Sequence, residues 1–472
     1  MVNKTTQTIF WSFIEKLSSN GVQFIITLIL ARLLTPDDYG LIAMIMVFYA
    51  FSQALIDSGF ASALIQKQDC TQCDFSTVFF FNIFISIVLY LILFFTAPLI
   101  ANYYHSDLLV NIIRVYCLNL IINALFMVHR TILIKELRFR PQALITLICS
   151  IVSGIFAIIL AYCHWAYWAL VFQIIVSSLL SFALTVSVCK WRPTFEFSLV
   201  SFKKLFPFGF NILLTAILNS IYNNLYSLII GRKFNSTLLG YYNRAYSLSS
   251  TVSISIADLS MKALYPIHSS IQNEQEKLNT AFNNSLKILM LFIVPFNLFL
   301  MVNAKDILIL LIGYKWISAT LMFQLLCIVF IFYPMLSLNI NMLKVMGRSD
   351  YLFRSELIKK IVGVILVSIT SQFGINSMIY GLIFYSVFDV LLSSIFVYKI
   401  SNIKPINQFK CVLFIGLSAL LPLFVAKYFT SSIQGMFLRI VISASVMLFL
   451  YLIICLCIKL ISLNDIKKWI NF

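Results

Sequence analysis

Residues 11–40 read WSFIEKLSSNGVQFIITLILARLLTPDDYG, and the fold is decided there. One long apolar segment ends in the polar hairpin Thr35-Pro36-Asp37-Asp38-Tyr39-Gly40, and a second apolar segment runs on to Gln66. The first segment carries Ser12, Lys16, Ser19, Gln23 and Thr27 at steps of three and four, which sets them on one side of a helix. A membrane helix keeps such a stripe out of lipid and turns it to a partner helix or a water-filled cavity.

The stretch recurs about 200 residues later in one ungapped register. Ser19 falls on Asn219, Asn20 on Ser220, Gln23 on Asn223, Thr27 on Ser227, Arg32 on Arg232 and Gly40 on Gly240. Unrelated apolar helices share Leu, Ile and Phe; they do not share a run of polar and glycine positions. The chain therefore reads as two homologous halves. In a polytopic membrane protein such repeats mark a transporter with its substrate site between the halves.

Composition agrees. Of 472 residues, 61% are hydrophobic and only 11% charged, against about 25% charged in soluble domains. The net charge of +17 is spread over short loops. A nucleic-acid binder would gather it into one patch, so no nucleic-acid partner is expected. Cys70-Thr71-Gln72-Cys73 has CxxC spacing without a second pair or a nearby His, and reads as two loop cysteines. The first apolar segment lacks a small-residue cleavage site and reads as an anchor that is kept.

Apolar runs of spanning length give about 14 membrane helices. They lie near 8–33, 40–63, 76–100, 111–132, 142–163, 166–189, 206–230, 241–264, 284–302, 317–340, 356–374, 376–398, 409–429 and 436–459. Residues 303–316 read as a short amphipathic element, and His268 to Lys287 as the longest connection between helices. The expected fold class is all-α integral membrane: two six-helix repeat lobes around a central cavity (1–205 and 206–400) plus an extra helix pair (401–472). Basic residues such as Lys135, Arg138, Lys203, Lys344, Arg348, Lys359 and Lys360 fall at one set of loops and helix starts. The positive-inside rule then places both termini in the cytoplasm.

Several segments resemble a known family. Leu30 to Gly40, Ile56 to Gln66, Gly231-Arg232-Lys233 leading to Leu239-Gly240-Tyr241-Tyr242-Asn243-Arg244-Ala245, and Ile312-Gly313-Tyr314-Lys315-Trp316 are similar to Wzx-like polysaccharide flippases. These form a branch of the multidrug/oligosaccharidyl-lipid/polysaccharide exporter superfamily, and the likeness is to colanic-acid-like and teichuronic-acid-like members. It implies a MATE-like fold in a bacterial plasma membrane. It also implies translocation of an undecaprenyl-diphosphate-linked oligosaccharide to the outer leaflet, for O-antigen, capsule or exopolysaccharide. Membrane lipids, a polysaccharide polymerase and a chain-length regulator are the implied partners, and no cofactor is implied. A cation-coupled drug exporter and a lipid II flippase are rivals within the superfamily. A membrane glycosyltransferase or polymerase is the rival outside it.

Under that resemblance the headgroup needs cations for its diphosphate and hydrogen-bonding groups for its sugars. Arg32 and Arg232 are the first candidates, because a guanidinium donates paired hydrogen bonds to phosphate and stays charged. Lys16, Arg114 and Arg244 are further candidate cavity cations. For Arg32 and Arg232 the alternative is snorkelling to outer headgroups; for Lys16 it is an interfacial pair with Glu15 near the cytoplasmic end. Ser19 and Gln23 on the first helix, and Asn211, Thr215, Asn219 and Asn223 on the seventh, would line a sugar path or bond across helices. Tyr222 and Tyr226 lie beside the second stripe as possible sugar platforms. Asp57, Asp258 and Asp389 are candidate ion-coupling carboxylates, since an intramembrane carboxylate must be paired or protonated; for Asp258 the alternative is a pair with Lys262, four residues on in the same helix. His105, His129, His164 and His268 are dispersed and give no metal spacing. No phosphate-binding lysine loop is present, and no enzyme is expected.

Overall fold

A computed structural model describes residues 21–458 and Leu460, apart from Ser58 and Gln68; seven side chains between 204 and 215 are also outside the description. The described residues are predominantly helical, with no strand among them. The helices are α1 (Gly21–Leu33), α2 (Pro36–Asp57), α3 (Phe60–Gln66), α4 (Gln72–Tyr104), α5 (Leu108–Tyr116), α6 (Leu118–Lys135), α7 (Phe139–Tyr162), α8 (Trp168–Cys189) and α9 (Leu199–Lys233). They continue as α10 (Ser236–Ser270), α11 (Gln275–Val302), α12 (Ala304–Ile312), α13 (Thr320–Ile331), α14 (Tyr333–Val345), α15 (Ser349–Thr370), α16 (Ile375–Ser401), α17 (Pro405–Thr430) and α18 (Met436–Cys457). Among the described residues, ten helical segments are long and apolar enough to cross a membrane. The long helices α9, α10 and α15 are more polar, because they carry stripes and charges as well as Leu and Ile.

Three expectations change. The connection expected from His268 to Lys287 shrinks to the turn between Ser270 and Gln275, because α10 and α11 extend into it. Local pairs hold the polar extension: Lys277 meets Glu274 at 2.5 Å, and Gln275 donates to Asn279 at 3.0 Å. Residues 303–316, expected as a short amphipathic element, form the short helix α12 and the start of a 3-10 turn, Tyr314–Ala319. Ile307, Leu308 and Trp316 of this region are buried. The expected tenth helix is split at Phe332, where Pro334 removes a backbone donor in the first turn of α14.

The chain forms two compact units, Met1–Gly240 and Tyr241–Phe472. In the first, α2 lies along α9, α4 packs on α6, and α6, α7 and α8 form a triangle of neighbours. Phe60, Leu64, Val78, Phe79, Val128 and Ile132 make one of its apolar clusters. In the second unit, α11 runs through the middle. Its Leu278, Phe282, Leu286, Met290 and Val294, spaced by four, are buried with Met335, Leu338 and Met342 of α14 and Ile415 and Ala419 of α17. The unit boundary falls after the expected repeat boundary at 205, because α9 packs within the first unit.

The repeat is visible in the backbone. α1 ends at Leu33 and α2 begins at Pro36, and in the same register α9 ends at Lys233 and α10 begins at Ser236. Both second helices are capped alike. The Asp38 N–H donates to Thr35 Oγ1 at 3.3 Å, and the Leu238 N–H donates to Asn235 Oδ1 at 2.7 Å; each cap satisfies the backbone donor of the third residue of its helix. The two hairpins also pack on one another. A Cβ on Gly40 would overlap the Ser236 carbonyl, and one on Gly240 would overlap the Pro36 carbonyl. The hydroxyls of Ser236 and Thr237 donate to Asp37 across this seam.

Candidate functional site

Arg32 and Arg232 sit at equivalent places, in the last turns of α1 and α9, and both side chains are exposed. A cation there also meets the negative end of its helix dipole. Arg232 is held in place: it hydrogen-bonds His105 and stacks 4.8 Å from the centroid of the Tyr103 ring. A stacked guanidinium keeps free N–H groups at its edge, the arrangement suited to an oxyanion. The His105 and Tyr103 partners were not foreseen. They lie at the far end of α4, and no sequence periodicity links them to Arg232.

Other expected residues separate. Lys16 and Ser19 lie outside the described residues, as do the side chains of Asn211 and Thr215. Gln23, Asn219 and Asn223 are exposed, and Tyr222 and Tyr226 are half-buried on α9. Arg114 stacks 4.5 Å from the Phe94 ring centroid, between α5 and α4. Arg244 is buried in the second unit, with its guanidinium 5.9 Å from the Trp316 ring centroid.

The candidate carboxylates divide between the units. In the first, Asp57 accepts from Gln53 at 3.1 Å, Gln53 accepts from the Tyr49 hydroxyl at 3.3 Å, and Tyr49 accepts from Asn119 at 2.9 Å and Asn123 at 2.7 Å. Residues 49, 53 and 57 are one turn apart on α2, and 119 and 123 are one turn apart on α6. The nearby Arg130 supplies an attractive charge to Asp57. The chain is legible in the sequence only as steps of four, 49-53-57 and 119-123.

In the second unit the structure brings Asp258 and Asp389 to one place. Asp389, on α16, lines a cavity of about 140 Å3 together with Tyr246, Tyr333 and Tyr385, and the Tyr333 hydroxyl hydrogen-bonds Asp258 on α10. Asp389 is paired: Lys359 Nζ stands 3.1 Å from its Oδ1 and 2.6 Å from Glu356. Lys359 was expected at a cytoplasmic helix start. Because α15 begins at Ser349, Lys359 falls nearly three turns inside the helix and is buried. Two carboxylates around one ammonium, beside a tyrosine-lined cavity, can take up a proton or exchange one cationic partner for another. Among the described residues no cluster of His, Cys, Asp or Glu has metal-binding geometry.

Comparison with known proteins places these features in a family. The family described as polysaccharide biosynthesis protein matches residues 29–321, a span that contains both hairpins and α10. The teichuronic acid biosynthesis protein TuaB of Bacillus subtilis is 26% identical over 73% of this chain and 71% of its own length. The lipopolysaccharide biosynthesis protein WzxC of Escherichia coli is 24% identical over 90% of this chain and 87% of its own. Among solved structures, the lipid II flippase MurJ in an inward closed conformation matches with a TM-score of 0.75 at 18% identity, covering 94% of this chain and 98% of that one. The chain is a multi-pass membrane protein and belongs to the polysaccharide biosynthesis protein family.

Proposed function

We propose that this protein is a flippase that carries an undecaprenyl-diphosphate-linked oligosaccharide across a bacterial plasma membrane by alternating access, without enzymatic activity. The observation that carries the reading is the pair of exposed arginines, Arg32 and Arg232, at equivalent positions of an internal repeat within the family match. A diphosphate headgroup needs at least two cations that do not titrate, and a twofold repeat supplies them symmetrically. Lys16, Arg114 and Arg244 act as further cations in this scheme. The polar stripes of the first and seventh expected helices (Ser19 and Gln23; Asn211, Thr215, Asn219 and Asn223) carry the sugars, and 206–400 forms the second repeat lobe followed by the helix pair 401–472. Asp258 and Asp389 couple transport to a cation gradient, with Asp57 as the carboxylate of the first unit. Both termini lie in the cytoplasm. A polymerase and a chain-length regulator act next on the exported repeat.

A second reading, a cation-coupled drug exporter, draws support from the carboxylate cavity at Asp389. One experiment separates them. The protein is expressed, with the enzymes for the cognate glycan, in a strain lacking its own surface-polysaccharide flippase. Surface polysaccharide and trapped inner-leaflet lipid-linked repeat are then measured at equal membrane abundance. Wild type restores export, and Arg32→Ala and Arg232→Ala trap the repeat. Absent export with raised drug resistance assigns the exporter function instead. Normal export by both variants removes the arginines from the mechanism.

A further inference from the structure

A second polar cavity, of about 210 Å3, lies within the first unit among α6, α7 and α8. Two helices present hydrogen-bonding groups to it at helical spacing: Gln142, Thr146 and Ser150 on α7, and Ser178, Ser181 and Thr185 on α8. Thr146 donates to the Gln142 carbonyl at 2.9 Å and Ser181 to Cys149 at 3.3 Å. Their oxygens keep lone pairs for a guest. Gln142 is 8% exposed, and its side-chain amide nitrogen, in the cavity wall, has no hydrogen-bond partner. A buried donor left unpaired is costly, so the wall calls for an acceptor. Phe126 offers an apolar face. At the rim stands Arg130, the one charged group among the described lining residues, with its side chain exposed.

We propose that this cavity is a subsite for a single acidic sugar unit of the cargo, bound through Arg130 and Gln142; the assignment rests on the flippase reading. The volume holds about seven waters at roughly 30 Å3 each, or one sugar ring. Hydroxyls and amides on two walls match ring hydroxyls, and Phe126 matches the C–H face of the ring. One guanidinium matches one negative charge, whereas a diphosphate would need more cations; the sugar acid would share Arg130 with the nearby Asp57. The subsite would grade cargoes by their acidic unit, away from Arg32 and Arg232.

The test has two arms. In the first, the purified full-length chain, in detergent free of anionic lipid, is titrated with glucuronate, glucose and phosphatidylglycerol, with thermal unfolding as the readout. Glucuronate raises the unfolding temperature and glucose does not; Arg130→Gln weakens the effect roughly tenfold or more, and Gln142→Leu severalfold. Arg130 is exposed, and Arg130→Lys, which keeps the charge near Asp57, retains part of the effect and controls for any loss of fold in Arg130→Gln. Equal effects of glucose and glucuronate overturn the proposal, as does a response to phosphatidylglycerol alone, which would make the cavity a lipid headgroup site. In the second arm, export of an acidic and of a neutral lipid-linked repeat is compared in the flippase-deficient strain. Selective loss of the acidic repeat in Arg130→Gln supports the subsite. Unchanged export of the acidic repeat by that variant overturns the subsite while the flippase reading stands. Wild type that exports neither repeat overturns the flippase reading itself.

Discussion

Replacing Gly40 by alanine tests whether the seam between the two repeat hairpins is a close-packed backbone contact. The added Cβ would stand 2.9 Å from Ser236 Cα, in addition to overlapping the Ser236 carbonyl. Carbon atoms sit comfortably at about 3.5–4.0 Å, and the obstacle is backbone, which has no rotamer to change. The hairpins must move apart by about an ångström, which also stretches the Asp37 contacts with Ser236 and Thr237. Overpacking of this kind costs about 1–3 kcal/mol, and the helix preference of alanine over glycine returns only about 0.5–1 kcal/mol. Gly416 is the control: in α17 its nearest neighbour to an added Cβ is Val294 at 3.9 Å, ordinary contact. Thermal unfolding of purified protein should fall by several degrees for Gly40→Ala and stay level or rise for Gly416→Ala. Gly240→Ala should behave like Gly40→Ala. The double variant should cost less than the sum, because one shift relieves both contacts. If Gly40→Ala unfolds no earlier than Gly416→Ala, the close seam is wrong.

The remaining predictions concern buried polar groups. Lys359→Met leaves the Asp389 carboxylate buried without its ammonium and should destabilise the second unit by about 3–5 kcal/mol. Asp389→Asn, which leaves Lys359 paired with Glu356, should cost less, and both are read from unfolding temperature and protease resistance. Tyr49→Phe removes the acceptor of Asn119 and Asn123 and should cost about 1–3 kcal/mol; amide hydrogen exchange should rise in α2 and α6 before it rises in α11.

The hairpins were legible because their signals are local. Pro36 two residues after a run of Leu, a capping threonine and an acidic first turn mark a helix start wherever they occur. The repeat was legible because Arg32 and Gly40 return at Arg232 and Gly240 in one register. Lys359 was misplaced for the opposite reason. Charges beside an apolar run look like a helix start, and only the extra turns of α15 carry this one inside. The pocket stripes, Gln142-Thr146-Ser150 and Ser178-Ser181-Thr185, have the same spacing in sequence as Ser12-Lys16-Ser19-Gln23-Thr27, yet alone each reads as a helix with a few hydroxyls. Their meaning comes from facing one another.

The sequence by itself determined a helical membrane protein with two related hairpins, because hydrophobic length, helical period and turn chemistry act over a few residues. Tertiary structure alone decided which faces meet: Lys359 with Asp389, Arg232 with His105 and Tyr103, Gly40 with the carbonyl of Ser236. A helical period fixes the side on which a residue lies. The depth and rotation at which two helices pack decide what that residue touches, and those depend on every side chain in the contact at once.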